Sequence, residues 1–68
     1  MTVSITVNGE AEHRDAGTTV ADLVAGHRPS PRGIAVARNE EVVPRSQWAT
    51  TVVTDGDRFE ILTAAQGG

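Results

Sequence analysis

Few residues in this 68-residue chain are of a type that carries a reacting or transferable group. It contains no cysteine and, although it holds six arginines, no lysine. A thiol nucleophile, a disulfide scaffold, a cysteine zinc site and a cysteine-ligated cluster are therefore excluded. So are a side-chain Schiff base and a side-chain isopeptide bond. His13 and His27 are the only good nitrogen ligands, and they read as ordinary surface imidazoles. Asp55 and Asp57 resemble a carboxylate pair, but they flank Gly56, and turn formation accounts for both without catalysis. What remains is the stretch TAAQGG, residues 63 to 68. The residues of an ordinary terminus hardly matter. Two glycines there are either accident or a feature the chain uses, and the elements upstream must decide which.

At this length one domain is expected, with a small core and no room for a second. The net charge is −3, and acidic residues alternate with the scattered arginines, so no basic stripe forms. Nucleic acid is not an expected partner. No apolar run has bilayer-spanning length, and no basic-then-apolar leader pattern opens the chain. The expectation is a cytoplasmic protein with no membrane partner.

VSITV, residues 3 to 7, alternates apolar and polar and places Val3, Ile5 and Val7 on one strand face. Asn8-Gly9 is a strong hairpin signal, since both residues tolerate positive φ. The returning strand, residues 10 to 14, is polar and belongs at a sheet edge. A strict two-residue turn puts Glu10, Glu12 and Arg14 on the face of Val7. A three-residue loop with a bulge puts Ala11 and His13 there instead, and the bulge is the favoured expectation. Thr19 and Asp22 form something close to a capping box, and Val20, Leu23 and Val24 make the apolar stripe of a short helix ended by Gly26. Residues 28 to 33 form a loop because two prolines lack amide donors. GIAVAR is a buried strand, Asn39-Glu40 a turn, and residues 41 to 43 a brief strand stopped by Pro44. A proline-initiated helical turn follows, then an extended stretch at residues 51 to 53 and the Asp55-Gly56-Asp57 turn. RFEILT closes the order, with Phe59 and Ile61 on one face and Leu62 on the other.

One helix over a mixed sheet of four to five strands, with the first and last strands side by side at its centre, is an α+β roll of the β-grasp, ubiquitin-like kind. Val3, Ile5, Val7, Val20, Leu23, Val24, Val36, Phe59 and Ile61 are the expected core. Residues 1–63 form the domain and 64–68 a flexible reactive tail. Trp48 reads as cover for the core's edge rather than a partner anchor, while Arg45 fits either a nearby carboxylate or a partner.

In this order, the strand-NG hairpin, the TTVADLV helix, the VARNEEVVPRSQW block, the DGDRFEIL strand and the terminal GG resemble the ThiS family of sulfur carriers in thiamine biosynthesis. The resemblance spans the whole chain, and its more specific part is the run from Asn39 to Trp48 followed by D-G-D. It implies a protein co-substrate and not an enzyme. The C-terminal carboxylate of Gly68 would be adenylated, converted to a thiocarboxylate and used for thiazole formation, with Gly67 giving steric access. Implied partners are a ThiF-like (E1-like) adenylyltransferase, a ThiG-like thiazole synthase and a sulfur donor such as a cysteine desulfurase. ATP and Mg belong to the adenylyltransferase, and this chain holds no cofactor or metal. The physical chemistry agrees: an arm ending in residues without Cβ enters a narrow cleft, and with no cysteine or lysine the terminal carboxylate is the one plausible carrier of a transferable group. Leu62, Arg58 and Gln66, beside or within the tail, are the expected partner-binding residues. Two alternatives stay open: the small subunit of molybdopterin synthase or another Gly-Gly sulfur carrier, and a non-catalytic β-grasp binding module.

Overall fold

The computed structural model describes residues 1–27 and 32–63. Five strands and one α-helix follow in the order β1 (Thr2–Val7), β2 (Glu10–Asp15), α1 (Val20–His27), β3 (Ile34–Arg38), β4 (Glu41–Val42) and β5 (Arg58–Thr63), with a 3-10 turn at Arg45–Gln47. The sheet order is β2-β1-β5-β3-β4. β5 lies at the centre, parallel to β1 and antiparallel to β3. The expected β-grasp roll is what forms.

The helix has the capping box that its sequence promises. The Thr19 hydroxyl accepts the Asp22 N–H and the Asp22 carboxylate accepts the Thr19 N–H, each at 3.1 Å. Val20, Leu23 and Val24 all point into the core. The helix runs one residue past Gly26, the expected end. Gly26 does not take the left-handed backbone of a glycine cap, and His27 continues the turn to reach Glu12 at 3.1 Å.

The core holds every expected residue except Val3, which is half-buried and packs against it. Val43, Trp48 and Val53 join it. Trp48 is 5 % exposed, and its indole N–H donates to the Val43 carbonyl at 2.9 Å. The ring is core cover, as expected, and the Arg45 guanidinium lies over it, 5.9 Å from the ring centroid. β4 stops at Val42 and not at Val43, because Val43 turns inward while its N–H donates to the Val36 carbonyl at 2.8 Å. Pro44 precedes the 3-10 turn as its cap, with an extended ψ of 143°, and does not occupy its first position. Residues 51 to 53 contribute a single bridge, Thr19 to Val52, and no strand.

The first hairpin corrects the favoured bulge. Val7 pairs with Glu10, Ile5 with Glu12 and Val3 with Arg14, so the turn has two residues. Asn8 at φ 53° and Gly9 at φ 85° both take the left-handed region that such a turn requires, and no third residue is needed. Ala11 and His13 therefore face away from the helix. Glu12 and Arg14 face the helix side, half-buried. Charge is tolerated there because Glu12 is paired twice, with Arg14 at 2.5 Å and with His27 at 3.1 Å.

Among the described residues, no helix is long and apolar enough to cross a membrane.

Candidate functional site

The candidate site is the strand that leads to the chain's end, together with the sheet face around it. Gln66, Gly67 and Gly68, and the whole expected tail of 64–68, lie outside the described residues. β5, which carries Arg58 and Leu62, is described in full.

β5 is held along both edges. On one side it pairs with the whole of β3, from Arg38–Phe59 to Ile34–Thr63. On the other, its ladder with β1 covers only Thr6–Arg58 and Val7–Phe59. Past that point the Asn8 side chain takes over. Its Oδ1 accepts the Ile61 N–H at 2.9 Å, and its Nδ2 donates to the Ile61 carbonyl at 3.2 Å. The amide thus makes the two bonds that the next residue of a strand would have made.

The start of β5 is anchored by a carboxylate. Asp57, 5 % exposed, accepts the Arg38 Nε–H at 2.9 Å, the Thr54 N–H at 2.8 Å and the Asn39 Nδ2–H at 3.1 Å. Asn39 returns the favour to the strand by accepting the Arg58 N–H at 2.9 Å. Asp55, across the turn, accepts the Ser4 N–H at 2.7 Å. Both aspartates are structural, as their turn setting indicated, but Asp57 is a hub of a kind the turn motif alone does not reveal.

Burial works against the Asp57 charge. Hydrogen bonds from the Thr54 backbone, the Asn39 side chain and the Thr54 side chain, with the Arg38 charge, outweigh it and hold the carboxyl below its ordinary value of 3.8. A carboxyl whose pKa is lowered by folding stabilises the fold above its unfolded pKa, and the contribution drains away as pH falls through the folded value. Stability from Asp57 is therefore complete at neutral pH, begins to fall as pH drops below the ordinary value of 3.8, and is gone only below the lowered folded value. Asp57→Asn is expected to cost about 1.5–3 kcal/mol at pH 7, the range for hydrogen bonds to a charged group. Urea unfolding at pH 7 and pH 3 checks this: the gap between wild type and variant narrows at the lower pH. A gap that stays constant would remove Asp57 as the source.

On the outer sheet face, alternation along β5 exposes Arg58, Glu60 and Leu62 and buries Phe59 and Ile61. Leu62 sits opposite Ala35, and Ala37 lies between Glu60 and Val42. Leu62 is 55 % exposed and Val42 75 % exposed, so the face carries an apolar strip made of Leu62, Ala35, Ala37 and Val42. Val42 was missed in the sequence, because its exposure follows from β4 being a two-residue strand at the sheet edge. Arg58 is well exposed and lies 3.9 Å from Glu40, too loose and too wet a pair to lock it. The structure thus puts Arg58 and Leu62 on one face of β5, Leu62 next to Thr63 at the strand's end and Arg58 at its start. Among the described residues no three His, Asp or Glu side chains gather in a metal-holding group.

The ThiS family model matches residues 5–68, which includes the last glycine. The chain belongs to the ThiS family. It is 36% identical over 66 residues to the sulfur carrier protein ThiS of Escherichia coli K12, covering 97% of this chain and 100% of that protein. It is 38% identical over 66 residues to a thiazole synthase of Paramagnetospirillum magneticum, of which it spans only 20%. A thiazole synthase of Magnetococcus marinus is 35% identical over a similar share. The fold matches the crystal structure of the thiamine biosynthesis protein ThiS from Geobacter metallireducens with a TM-score of 0.79 at 30% identity, over 97% of this chain and 100% of that one. The five-stranded sheet with its single helix is thus a ThiS-type β-grasp.

Proposed function

We propose that Gly68 is the loading point of this chain, a sulfur carrier of the ThiS family that acts in thiamine biosynthesis and is not itself a catalyst. The observation that carries this is the extent of the family match, which runs through Gly67 to Gly68. The full-length similarity to the Escherichia coli carrier favours the thiamine branch over the molybdopterin synthase subunit and over an inert binding module.

The chemistry follows from the end group. The Gly68 carboxylate is a poor electrophile. A ThiF-like adenylyltransferase, with its own ATP and Mg, lets that carboxylate displace pyrophosphate and become an acyl-adenylate. The outer sulfur of a donor persulfide, such as that of a cysteine desulfurase, then displaces AMP to form an acyl disulfide, and a thiol reductant cleaves its S–S bond to leave the thiocarboxylate. Splitting the substitution in this way replaces one difficult step by two easier ones. A ThiG-like thiazole synthase is the acceptor, a reading supported by the region similar to this chain found within thiazole synthases of two other organisms.

The loading test is direct. The chain is incubated with such an adenylyltransferase, ATP, Mg, a sulfur donor and a thiol reductant, and its intact mass is measured. The expected product has one oxygen exchanged for sulfur at the C-terminal glycine. A chain that stays unchanged while a control carrier is loaded by the same enzymes overturns the proposal.

The Leu62 face, which also carries Arg58 at the far end of β5, is the docking surface that brings the arm to those enzymes, and Gln66 is a further contact expected from the tail's sequence. Leu62→Asp places a charge in place of the large side chain at the β5 end of the strip without touching the core. Its expected cost in complex formation is about 2 kcal/mol or more, roughly thirtyfold, as for an interface hot spot. Binding measured by calorimetry against each enzyme, with thermal unfolding as the control for folding, decides it. Unchanged affinity for both enzymes sinks the idea.

A further inference from the structure

Asn8-Gly9 turns the first hairpin, but the Asn8 side chain spends its polar groups elsewhere. Its Oδ1 and Nδ2 both engage the backbone of Ile61 in β5, at 2.9 and 3.2 Å, and its own N–H donates to the Phe59 carbonyl at 2.9 Å. The residue is nonetheless exposed to water. The residue that follows is a glycine with open space around it, where even an added Cβ would meet nothing. Its amide nitrogen is therefore the least hindered nucleophile an asparagine can have behind it.

We propose that Asn8 is a deamidation site that the native fold guards, and that its conversion releases the clamp on β5. In the reaction the Gly9 backbone nitrogen loses its proton and attacks Cγ of Asn8. The bond from Cγ to Nδ2 breaks, ammonia leaves, and a five-membered imide forms. Water then opens the imide at one of its two carbonyls, giving an aspartyl or an isoaspartyl residue at position 8. One water enters and one ammonia departs, with no oxidant or reductant.

The guard is geometric. Attack requires Cγ to swing over the Gly9 nitrogen, and the two bonds to Ile61 hold the carboxamide against β5. The reaction therefore waits for a local opening of the turn. The consequence is electrostatic. An aspartyl carboxylate keeps the acceptor for the Ile61 N–H but has no N–H for the Ile61 carbonyl, so two oxygens face each other. An isoaspartyl residue adds a backbone carbon to a two-residue turn, whose register sets the face of every residue in β2. Either product loosens β5 two residues before its end at Thr63.

Asn39 is an internal control. It too has a left-handed backbone, at φ 51°, and a carboxamide bonded at both ends, to the Arg58 N–H and the Asp57 carboxylate. Glu40 follows it, however, and its side chain crowds the nucleophile.

The test ages the intact chain at mildly alkaline pH with and without unfolding urea, and maps the products by peptide mass spectrometry. Asn8 is expected to convert in urea about tenfold faster or more than in the folded chain, the suppression a protected opening imposes. Asn39 is expected to remain intact in both. In parallel, amide hydrogen exchange at Ile61 is measured in wild type, Asn8→Asp and Asn8→Gly. The glycine variant keeps the turn's backbone geometry and removes the carboxamide, so it reports on the clamp even if Asn8→Asp does not fold. Faster Ile61 exchange in the glycine variant supports the clamp, and faster exchange in a folded Asn8→Asp as well supports its release on conversion. Equal ageing rates with and without urea, no conversion of Asn8 in urea, or unchanged Ile61 exchange in the glycine variant overturns the proposal.

Discussion

Removing Gly68, or adding one residue after it, is expected to abolish sulfur loading while leaving the stability of the domain untouched. Terminal residues contribute few contacts, so urea and thermal unfolding should coincide with wild type. The reacting carboxylate, by contrast, is displaced by about 3.5 Å, the reach of one extended residue. A misplacement near 1 Å already costs about a hundredfold in rate where geometry controls the reaction. β5 offers no slack to absorb the change, because β3 fixes its register up to Thr63 and Asn8 holds Ile61 from the other side. Gly67→Val tests the same site with the length preserved. A β-branched side chain widens the arm where a narrow cleft must admit it and resists positive φ. Normal folding with poor adenylation is expected, read as pyrophosphate release with the partner enzyme. A deletion variant that forms adenylate and thiocarboxylate at the wild-type rate would falsify the assignment of Gly68.

The elements that position this arm were legible because their signals are local. Val3, Ile5 and Val7 alternate, Thr19 and Asp22 sit three apart, and Phe59 and Ile61 alternate with polar residues, so each pattern is complete within one element. The register of the first hairpin was not legible, because it depends on what faces β2. Glu12 and Arg14 look like outward residues until His27, fifteen positions later, supplies Glu12 with a second partner. The same limit hid the Asp57 hub, whose partners Arg38 and Asn39 lie nineteen and eighteen residues upstream. For Leu62 the alternation of β5 sufficed. For Val42, exposure follows from β4 being a two-residue edge strand, a fact of sheet order that no local pattern states. The arm rests on different grounds: in a chain without cysteine or lysine the end group is left as the expected carrier, the family resemblance names the chemistry, and the arm itself lies outside the described residues.

Leu23→Ala is expected to destabilise the domain by about 2–5 kcal/mol, the cost of deleting a fully buried leucine side chain. Leu23 is completely buried, at 0 % exposure, in the middle of the helix stripe. The helix has only eight residues, too few to persist without packing, so its contact with the sheet is what makes it form. Its first turn also ties into the chain ahead of β5: the Val20 N–H donates to the Thr51 carbonyl and the Ala21 N–H to the Trp48 carbonyl. A cavity under Leu23 is therefore felt by the segment that feeds the central strand as well as by the helix. Small domains typically have about 5–15 kcal/mol in all, so the loss takes a large share. At about 4–8 °C per kcal/mol for a chain of this size, the unfolding midpoint should fall by more than about 8 °C. Sulfur loading measured well below that midpoint should stay close to wild type, because the arm and the Leu62 face are untouched in molecules that remain folded. Thermal unfolding followed by circular dichroism, with loading assayed at low temperature, separates the two effects. A midpoint unchanged by Leu23→Ala would mean that the helix does not rest on this side chain, and the packing described for the core would have to be abandoned.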